Sequence, residues 1–383
     1  MTFAKRVRSA AVVVLLAGSS LGLTGLAANA SATSPVASSA YRQTNLVSDI
    51  PGLARHTDPN LRNSWGTSTG PGLPIWVADN HAGAATLYDG QGNPQPGPGT
   101  RQLVVSIPAP PPSAGPGAAG APDGTVFNPT PDGFLVSRHG VSAPARFLFA
   151  TEDGTIAGWN PAVDPARAVI AVNRSAVTDR AGDHGAEYKG LALVSTPAGK
   201  LLYATNFRFG TIEVFDTNFR RVNSFTDPTV PAGFAPFGIH NIGGSLYVTF
   251  AKQDAAKQDD DAGPGNGFVD VFAPDGTLLQ RLASQGPLNS PWAVTAAPAA
   301  FGAFGGDILV GNFGDGRINA FNPATGQFLG QLRTHGGPIT ISGLWGLRFP
   351  AGSLNVTPGA LYFTAGPNHE ADGLLGDIVP AQG

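Results

Sequence analysis

A unit of four short strand-like segments recurs along the chain, and this repeat limits the possible folds more than any other feature of the sequence. Its clearest copy spans residues 288–332 and contains the segments 292–294, 307–310, 317–321 and 328–332. Each segment is apolar or alternating and is bounded by Gly, Asn, Asp or Pro, which is typical of strands joined by tight turns. Four strands within about 45 residues are typical of one propeller blade.

Six copies of the unit can be aligned. Their first segments share an aromatic or charged residue followed by a small one, at Trp65-Gly66, Asp123-Gly124, Lys189-Gly190, Phe237-Gly238, Trp292-Ala293 and Trp345-Gly346. The 52 glycines and 34 prolines among 383 residues supply the many turns that such a chain needs. One copy alone cannot bury both faces of its sheet, so the copies must stack, and a ring leaves no exposed end. The sequence therefore predicts an all-β fold, a six-bladed β-propeller.

The N-terminal strand is predicted to close this ring. Residues 41–47 belong to no neighbouring copy but resemble the fourth segments of the others, such as residues 220–225. The last copy ends near Val379 without a fourth segment of its own. If the N-terminal strand completes the last blade, two free strand edges disappear. We expect a single propeller domain over residues 41–380.

The first thirty residues have the pattern of a secretory signal peptide. Lys5, Arg6 and Arg8 precede an apolar run over residues 10–16, and Ala28-Asn29-Ala30 offers the small residues that a signal peptidase recognises. We expect a signal peptide at residues 1–30, a disordered Ser/Ala/Thr linker at residues 31–40 and an extracellular mature protein. The chain contains no cysteine, so we expect no lipoprotein anchor, no disulfides and no thiolate catalysis.

Charge narrows the range of partners. Removal of the signal peptide lowers the number of Lys and Arg residues from 23 to 20, against 26 Asp and Glu, which gives a formal charge of −6. Such a balance argues against nucleic acid or an anionic membrane as a partner. We expect a monomer that has no membrane span after signal cleavage.

Five stretches carry a resemblance to a known family: residues 56–66, 146–156, 188–192, the insert 252–267, and residues 311–316. They resemble a family of uncharacterised bacterial secreted β-propellers with NHL-like repeats, many of which carry a PEP-CTERM sorting tail. The resemblance covers nearly all of the predicted mature chain and implies the propeller fold. This chain departs from that pattern after Pro380, where no sorting tail follows. The family has no assigned chemistry, so the resemblance transfers no functional residue.

Two sets of residues on the predicted innermost strands are candidates for a site. The residues before the repeated small position include four aromatics, which favours packing between blades. The alternative is an aromatic-rimmed mouth in which Lys189, Glu187, His240 and Arg348 supply polar contacts. The counterparts of His240 in the other copies are Ser68, Val126, Ala192, Thr295 and Arg348. The candidate ligand-binding residues are Trp65, Lys189, His240, Trp292, Trp345 and Arg348. Lys189 and Arg348 would favour an anionic or oxygen-rich group, and His240 would make binding pH-dependent between about 5 and 8.

An axial divalent cation is a second hypothesis. The chain is similar in outline to six-bladed lactonase and esterase propellers, which implies a cation held by Glu, Asn and Asp side chains. Residues that could reach that region are Asn63, Asp123, Asn128, Glu187 and Asn289. The acidic insert 252–267 is expected to be a solvated loop over one face of the ring. Chelation of Ca²⁺ by its carboxylates and service as a lid are the alternatives.

The sequence thus leaves the function open between different classes. The first is a secreted binding or interaction module for a small molecule or an extracellular polymer. The second is a metal-dependent hydrolase with Ca²⁺ or another divalent cation as cofactor. A ring with a purely structural role is the third, because a fold does not by itself define a function.

Overall fold

The computed structural model describes residues 40–381, except 98, 100, 112–117, 130 and 198. The predicted signal peptide, and all of the predicted linker except Ala40, therefore lie outside the described residues. The described chain consists of strands, two single-turn 3-10 helices (Asn80–Ala82 and Gly302–Phe304) and their connections. No helix in this part of the chain is long and apolar enough to cross a membrane.

The strands of the first half of the chain form an N-terminal pair and blades 1 to 3. The N-terminal pair is β1 (Tyr41–Ser48) and β2 (His56–Thr57). Blade 1 contains β3 (Ser64–Ser68), β4 (Ile75–Asp79), β5 (Ala84–Tyr88) and β6 (Val104–Ser106). Blade 2 contains β7 (Pro122–Phe127), a separate hairpin of β8 (Leu135–Arg138) and β9 (Val141–Pro144), then β10 (Phe147–Thr151), β11 (Thr155–Trp159) and β12 (Val169–Asn173). Blade 3 contains β13 (Tyr188–Thr196), β14 (Gly199–Asn206), β15 (Thr211–Phe215) and β16 (Arg221–Phe225).

The second half forms blades 4 to 6. Blade 4 contains β17 (Phe234–Ile242), β18 (Ser245–Lys252), β19 (Phe268–Phe272) and β20 (Leu278–Ser284). Blade 5 contains β21 (Pro291–Ala296), β22 (Ile308–Asn312), β23 (Ile318–Phe321) and β24 (Phe328–Gln331), followed by a short hairpin of β25 (Arg333–Thr334) and β26 (Gly337–Pro338). Blade 6 contains β27 (Leu344–Arg348), β28 (Leu361–Ala365) and β29 (Leu374–Pro380).

The six sheets form a closed ring around an axis lined by their first strands. Within each blade, successive strands pair antiparallel. The first strands β3, β7, β13, β17, β21 and β27 each contact the first strands of both neighbouring blades, and β27 contacts β3. The predicted six-bladed propeller is therefore confirmed.

The N-terminal strand closes the ring as predicted. β1 pairs antiparallel with β29, with Tyr41 opposite Pro380 and Ser48 opposite Leu374. The Tyr41 hydroxyl donates a hydrogen bond to the carbonyl oxygen of Phe301 at 3.1 Å, which ties the strand to blade 5 as well. Blade 6 thus obtains its fourth strand from the other end of the described chain, and both strand edges are covered.

The core lies between the blades. In the described residues, one apolar cluster fills each of the six interfaces between neighbouring blades. Alternation along β10 shows how one strand serves two interfaces: Phe147 and Phe149 pack with Trp76 of blade 1, whereas Leu148 and Ala150 face blade 3. Successive residues of a strand point to opposite faces of its sheet, so a strand that is buried on both sides is apolar throughout.

Three small elements were not predicted from the sequence. They are the hairpin β8–β9, the hairpin β25–β26, and the short parallel pairing of β2 with β1. In the first hairpin, Leu135 and Val141 point to solvent, so the segment lacks the apolar pattern of a blade strand. It is held by Phe134 and Val136, which are buried in the apolar cluster between blades 2 and 3, and by backbone contacts such as the hydrogen bond from the Phe134 amide to the Thr217 carbonyl oxygen at 2.6 Å.

Candidate functional site at the axis of the ring

The repeated small residue lets the innermost strands approach one another closely. A side chain on Gly238 would overlap the carbonyl oxygen of Trp292 in the next blade, and one on Gly66 would overlap that of Asp123. Threonines of the second strands bridge the same gap. For example, Thr205 Oγ1 accepts a hydrogen bond from the Gly190 amide at 2.7 Å and donates one to the Phe237 carbonyl at 2.6 Å. The side chains on either side of the small residue are therefore held in two defined layers along the axis.

The first layer is a buried aromatic plug. Trp65, Trp292 and Trp345 are only 1–3% exposed. The Trp65 and Trp345 rings stack with their centroids 3.5 Å apart, and Trp292 meets both edge-on at 6.1 and 6.0 Å. Two indole nitrogens are anchored, because Trp345 Nε1 donates to Asn63 Oδ1 and Trp292 Nε1 donates to the Lys189 carbonyl, both at 3.2 Å. The tryptophans thus pack between blades, and they do not rim an open mouth.

The second layer borders an open cavity of about 480 Å³ at the end of the axis where the innermost strands finish. The structure brings His240 and all its predicted counterparts to this one cavity, namely Ser68, Val126, Ala192, Thr295 and Arg348. All six blades therefore contribute to its wall. A void of about 20 Å³ between the cavity and the plug is lined by Trp292, among others. We call the larger, open cavity the Arg348 cavity.

The ionisable groups that line the Arg348 cavity are an arginine and a neutral histidine, beside hydroxyl and amide side chains such as Ser68, Asn241 and Thr295. Arg348 Nε donates to the Thr67 carbonyl oxygen at 2.9 Å. Burial lowers the pKa of Arg348 to about 10, so the guanidinium is charged at neutral pH. Burial and the nearby charge of Arg348 lower the pKa of His240 to about 4. His240 is therefore neutral between pH 5 and 8, and its titration lies below the range expected from the sequence.

Lys189 faces the opposite side of the plug. Its side chain is 1% exposed, and its ammonium pairs with Glu152, lies 3.5 Å from Glu187 Oε1 and lies 3.7 Å from Asp259 Oδ1. Burial alone would lower the pKa of Lys189, but attraction to these carboxylates and to Asp123 outweighs it and raises the pKa. The structure thus separates Lys189 from His240 and Arg348, with which the sequence analysis had grouped it.

We call the carboxylate-rich group around Lys189 the acidic mouth; its acidic members are Asp123, Glu152, Glu187, Asp259 and Glu370. Burial raises the pKa of Glu187 and of Glu370 to about 7, against the opposing attraction of Lys189. Burial and the charge of Glu152 raise the pKa of Asp123 well above its usual range. Glu152 differs, because its contact with Lys189 outweighs burial and lowers its pKa. The acidic mouth thus contains more carboxylates than cations, and its cations are Lys189 and Arg208.

The insert 252–267 crosses the acidic mouth as a strap. Lys257 Nζ pairs with Asp183 Oδ2 of blade 3 at 2.6 Å, and Gln253 Nε2 donates to the Phe207 carbonyl at 2.6 Å. On the other side, the amide of Gly263 donates to Asn289 Oδ1 at 2.8 Å. The insert therefore lies over one face of the ring as predicted, but it is tied to blades 3 and 5 and is not an unattached loop.

The candidate metal ligands were tested against these contacts. Asn128 follows the far end of β7, where its Nδ2 donates to the Ala145 carbonyl at 2.9 Å, so it is remote from the acidic mouth. Asn63 is engaged by Trp345 and donates from Nδ2 to Glu370 Oε2 at 2.8 Å. The Oδ1 of Asn289 already accepts from the strap. These three amides are therefore committed to structural hydrogen bonds.

The two candidate carboxylates, Glu187 and Asp123, differ in whether both of their oxygens have partners. Glu187 is paired on one oxygen with Lys189 and on the other with Arg208. Asp123 Oδ1 accepts from Asn80 at 2.8 Å, and only its Oδ2 is buried without a partner. Within the described residues, no three His, Asp or Glu side chains are placed to hold a metal ion together. The cation at the centre of the acidic mouth is the ammonium of Lys189, and the candidate residues do not fit a divalent cation.

Several residues of the acidic mouth were not among the sequence-based candidates. They are Asn80, Glu152, Arg208 and Glu370, whereas Asp259 was considered only as one of the carboxylates of the insert 252–267. Asn80, Glu152, Arg208 and Glu370 all lie in the turn between the second and third strands of their blades. The alignment of the repeats could have identified that shared position, because the turn points toward the same end of the axis in every blade. Nothing in the spacing predicts the contact of Asp259 with Lys189, which depends on the path of the strap.

Together these features define a six-bladed β-propeller with a plugged axis, an open cavity at one end and a strapped acidic mouth at the other. No family model matches the sequence. The chain is 33% identical over 345 residues to an uncharacterised protein of Acanthamoeba polyphaga mimivirus. The alignment covers 88% of this chain and 80% of that protein. It is 34% identical over 351 residues to a second uncharacterised protein of the same virus, covering 88% and 85%.

The chain belongs to the family of these uncharacterised viral proteins. The expectation of an uncharacterised propeller family is confirmed, whereas these relatives are viral and not bacterial. Among solved structures, the chain is similar to a streptogramin B lyase, with a TM-score of 0.48 and 13% identity over 88% of this chain and 96% of that one.

Proposed function

We propose that the protein is a binding module that takes a small molecule, or a short segment of an extracellular polymer, into the Arg348 cavity. The observation that carries this proposal is the convergence of all six blades on one cavity above the aromatic plug. Its volume of about 480 Å³ lies within the range of roughly 300–1,000 Å³ that small-molecule sites occupy. Because every one of the six blades contributes lining residues, the complete ring is needed to form the wall.

The proposal includes export, which rests on the sequence alone. The cationic start, the apolar run and the small residues Ala28-Asn29-Ala30 have the order of a signal peptide. Mass spectrometry of protein recovered from the culture medium should show a chain that begins near Ser31 or Thr33. Extracellular protein that still begins at Met1 would contradict cleavage at this site.

The hydrolase alternative has less support from the geometry. Its candidate ligands make hydrogen bonds or ion pairs with protein groups, Asp123 through one oxygen only, and Lys189 occupies the centre of the acidic mouth. We therefore derive no metal-dependent step. A binding role does not require such a step, because it needs only shape, apolar wall and a few polar contacts.

The binding proposal is tested by filling the cavity. Thr295 lines the cavity from β21, so Thr295→Trp should block it, while Ser224→Trp places the same side chain on the exposed outer strand β16. The wild-type protein would be screened by thermal shift and calorimetry against a panel of small metabolites and oligosaccharides. We expect a ligand whose binding is lost in Thr295→Trp and retained in Ser224→Trp. A ligand that binds all three proteins equally would place the site elsewhere.

A further inference from the structure

The charge inside the Arg348 cavity is of one sign. Among the described residues that line it there is no Asp or Glu, and Arg348 is the one permanent charge. Among the described residues, its guanidinium hydrogen-bonds only through Nε, which contacts the carbonyl and hydroxyl oxygens of Thr67 at 2.9 and 3.3 Å. Within the described part of the chain, its two terminal nitrogens make no hydrogen bond or ion pair. This differs from the acidic mouth, where both cations are paired.

An unpaired guanidinium in a cavity is a strong constraint on what binds there. The planar guanidinium presents its two terminal nitrogens as a fork that matches the two oxygens of a carboxylate. Because Nε is held by Thr67, the fork has a fixed orientation before a ligand arrives. Arg348 is only partly buried, so its terminal nitrogens are open to solvent, and an anionic group of the ligand would replace water there with charge-assisted hydrogen bonds. One cation balances one negative charge, so a monoanion suits the cavity better than a dianion.

His240 adds an acceptor beside this fork. A carbonyl oxygen can only accept, so the contact of His240 Nε2 with the Trp292 carbonyl at 3.2 Å places the ring proton on Nε2. Nδ1 of the neutral ring is then a bare acceptor. The ring also meets Trp292 edge-on at 5.7 Å, which fixes its orientation. A ligand that satisfies both residues therefore needs a carboxylate and a nearby hydrogen-bond donor.

The geometry points to a hydroxy-carboxylic acid as the ligand of the Arg348 cavity, with the carboxylate on the two terminal nitrogens of Arg348 and a hydroxyl donating to His240 Nδ1. This inference rests on the binding function proposed above. The same chemistry occurs in a free hydroxy acid or sugar acid and in the acidic sugar units of a polymer. The partly exposed apolar side chains of Val126, Leu193 and Ile242 supply contact surface for the carbon skeleton.

The test compares an acidic sugar with its neutral counterpart and with two inorganic anions. Calorimetry on the folded wild-type chain would use sodium glucuronate, glucose, inorganic sulfate and inorganic phosphate. A second arm would compare glucuronate with an oligogalacturonate to separate a free acid from a polymer source. We expect glucuronate or the oligogalacturonate to bind and glucose to bind at least about tenfold more weakly, since a charge-assisted bidentate pair is lost. Equal binding of glucose, or tighter binding of sulfate or phosphate, would overturn the inference.

Three variants locate the interaction. Arg348→Gln should weaken the acid at least about tenfold, and Arg348→Lys, which keeps the charge without the fork, should recover only part of the loss. Arg221→Gln, on the exposed strand β16, is the matched control and should bind like the wild type. Near-ultraviolet circular dichroism would establish that each variant is folded. Arg348→Lys also keeps the conclusion testable if Arg348→Gln does not fold.

The outcomes separate this inference from the binding function itself. If Thr295→Trp abolishes binding of the acid but Arg348→Gln and Arg348→Lys do not change it, the cavity binds ligands but the carboxylate assignment is wrong. If a neutral ligand binds in a manner sensitive to Thr295→Trp and no acid binds, the carboxylate assignment is likewise wrong. If no probe or panel member responds to Thr295→Trp, both proposals fail. Loss of acid binding in Thr295→Trp and Arg348→Gln, but not in Arg221→Gln, supports both.

Discussion

The Trp65 and Trp345 rings stack with their centroids 3.5 Å apart, and this contact joins the first blade of the ring to the last. The two residues are 280 positions apart in the sequence and hold equivalent places in β3 and β27. The ring is therefore closed at two radii: at the axis by these indoles, and at the rim of blade 6 by the pairing of β1 with β29.

The inner closure predicts that Trp345→Ala is strongly destabilising. Trp345 is 1% exposed, stacks on Trp65 and Phe313, and donates to Asn63. Removal of a large buried aromatic side chain costs about 3–5 kcal/mol. Urea denaturation should show this loss. Phe328→Ala, at a side chain that is 43% exposed on the outer strand β24, should cost less than about 1 kcal/mol. Equal losses in the two variants would contradict the plug as a source of stability.

The closure of blade 6 by β1 predicts that deletion of this strand causes aggregation as well as loss of stability. A chain that begins at Asp49 lacks β1, so the edge of β29 is exposed and the burial of Leu46 and Val47 is lost. We expect this protein to melt at a lower temperature and to aggregate, because an unpaired edge strand pairs readily with another chain. A chain that begins at Ala40 is the control and should behave like the untruncated mature protein. Size-exclusion chromatography with light scattering measures the difference, and two monomeric proteins of equal stability would refute the model.

A sequence repeat shows which residues hold equivalent positions in the blades, and this decides how much of the site the sequence could predict. The alignment identified His240 and Arg348 as equivalent positions of the innermost strands, and the structure places both at one cavity because strand register fixes which residues share a layer. The alignment could not show that Lys189, in the other layer, turns its ammonium toward Glu152. That direction depends on contacts between residues from different blades.

Chain segments outside the repeat were also beyond the reach of the sequence pattern. The strap was recognised as an insert, but its attachment to Asp183 and Asn289 could not be predicted, since nothing in its composition defines its path. The acidic composition suggested a cation site, yet the structure supplies the cation from the chain itself, through Lys189. Composition alone does not distinguish a metal ligand from the partner of a buried lysine.

The acidic mouth predicts that stability falls between pH 5 and pH 8. Burial raises the pKa of Glu187 and of Glu370 from 4.5 to about 7 in the folded protein. A group whose pKa is higher in the folded state stabilises the fold below its unfolded pKa, and that contribution is lost as the pH rises through 7. Glu370→Gln should therefore reduce the difference in unfolding free energy between pH 5 and pH 8, by on the order of 1–3 kcal/mol.

Urea denaturation at the two pH values measures this effect of Glu370→Gln. The control is Asp132→Asn, which removes a carboxylate from an exposed position and should leave the pH dependence unchanged. A Glu370→Gln protein with the same pH dependence as the wild type would show that Glu370 does not titrate in this range.

We predict that Lys189→Met lowers the free energy of unfolding through a large electrostatic effect. Its ammonium is the shared partner of Glu152, Glu187 and Asp259. Lys189→Met therefore leaves the partly buried Glu152 and the buried Asp123 without that charge, and leaves Glu187 with Arg208 alone. Loss of one partner of a buried ion pair costs about 3–5 kcal/mol. We expect a loss of this size at pH 8 and a smaller one at pH 5, because protonation of Glu187 then relieves the repulsion. The free energy of unfolding at both pH values provides the measurement.

Two further variants decide whether this loss is electrostatic or comes from packing. Lys200→Met, at a partly exposed residue at the start of β14, is the matched control and should be nearly neutral. Adding Glu152→Gln to Lys189→Met removes one of the stranded charges, so the double variant should be more stable than Lys189→Met alone. A purely steric role for Lys189 predicts the opposite, because the two losses would then add. A Lys189→Met protein that is equally destabilised at pH 5 and pH 8, and is not rescued by Glu152→Gln, would show that the ammonium does not hold the acidic mouth together.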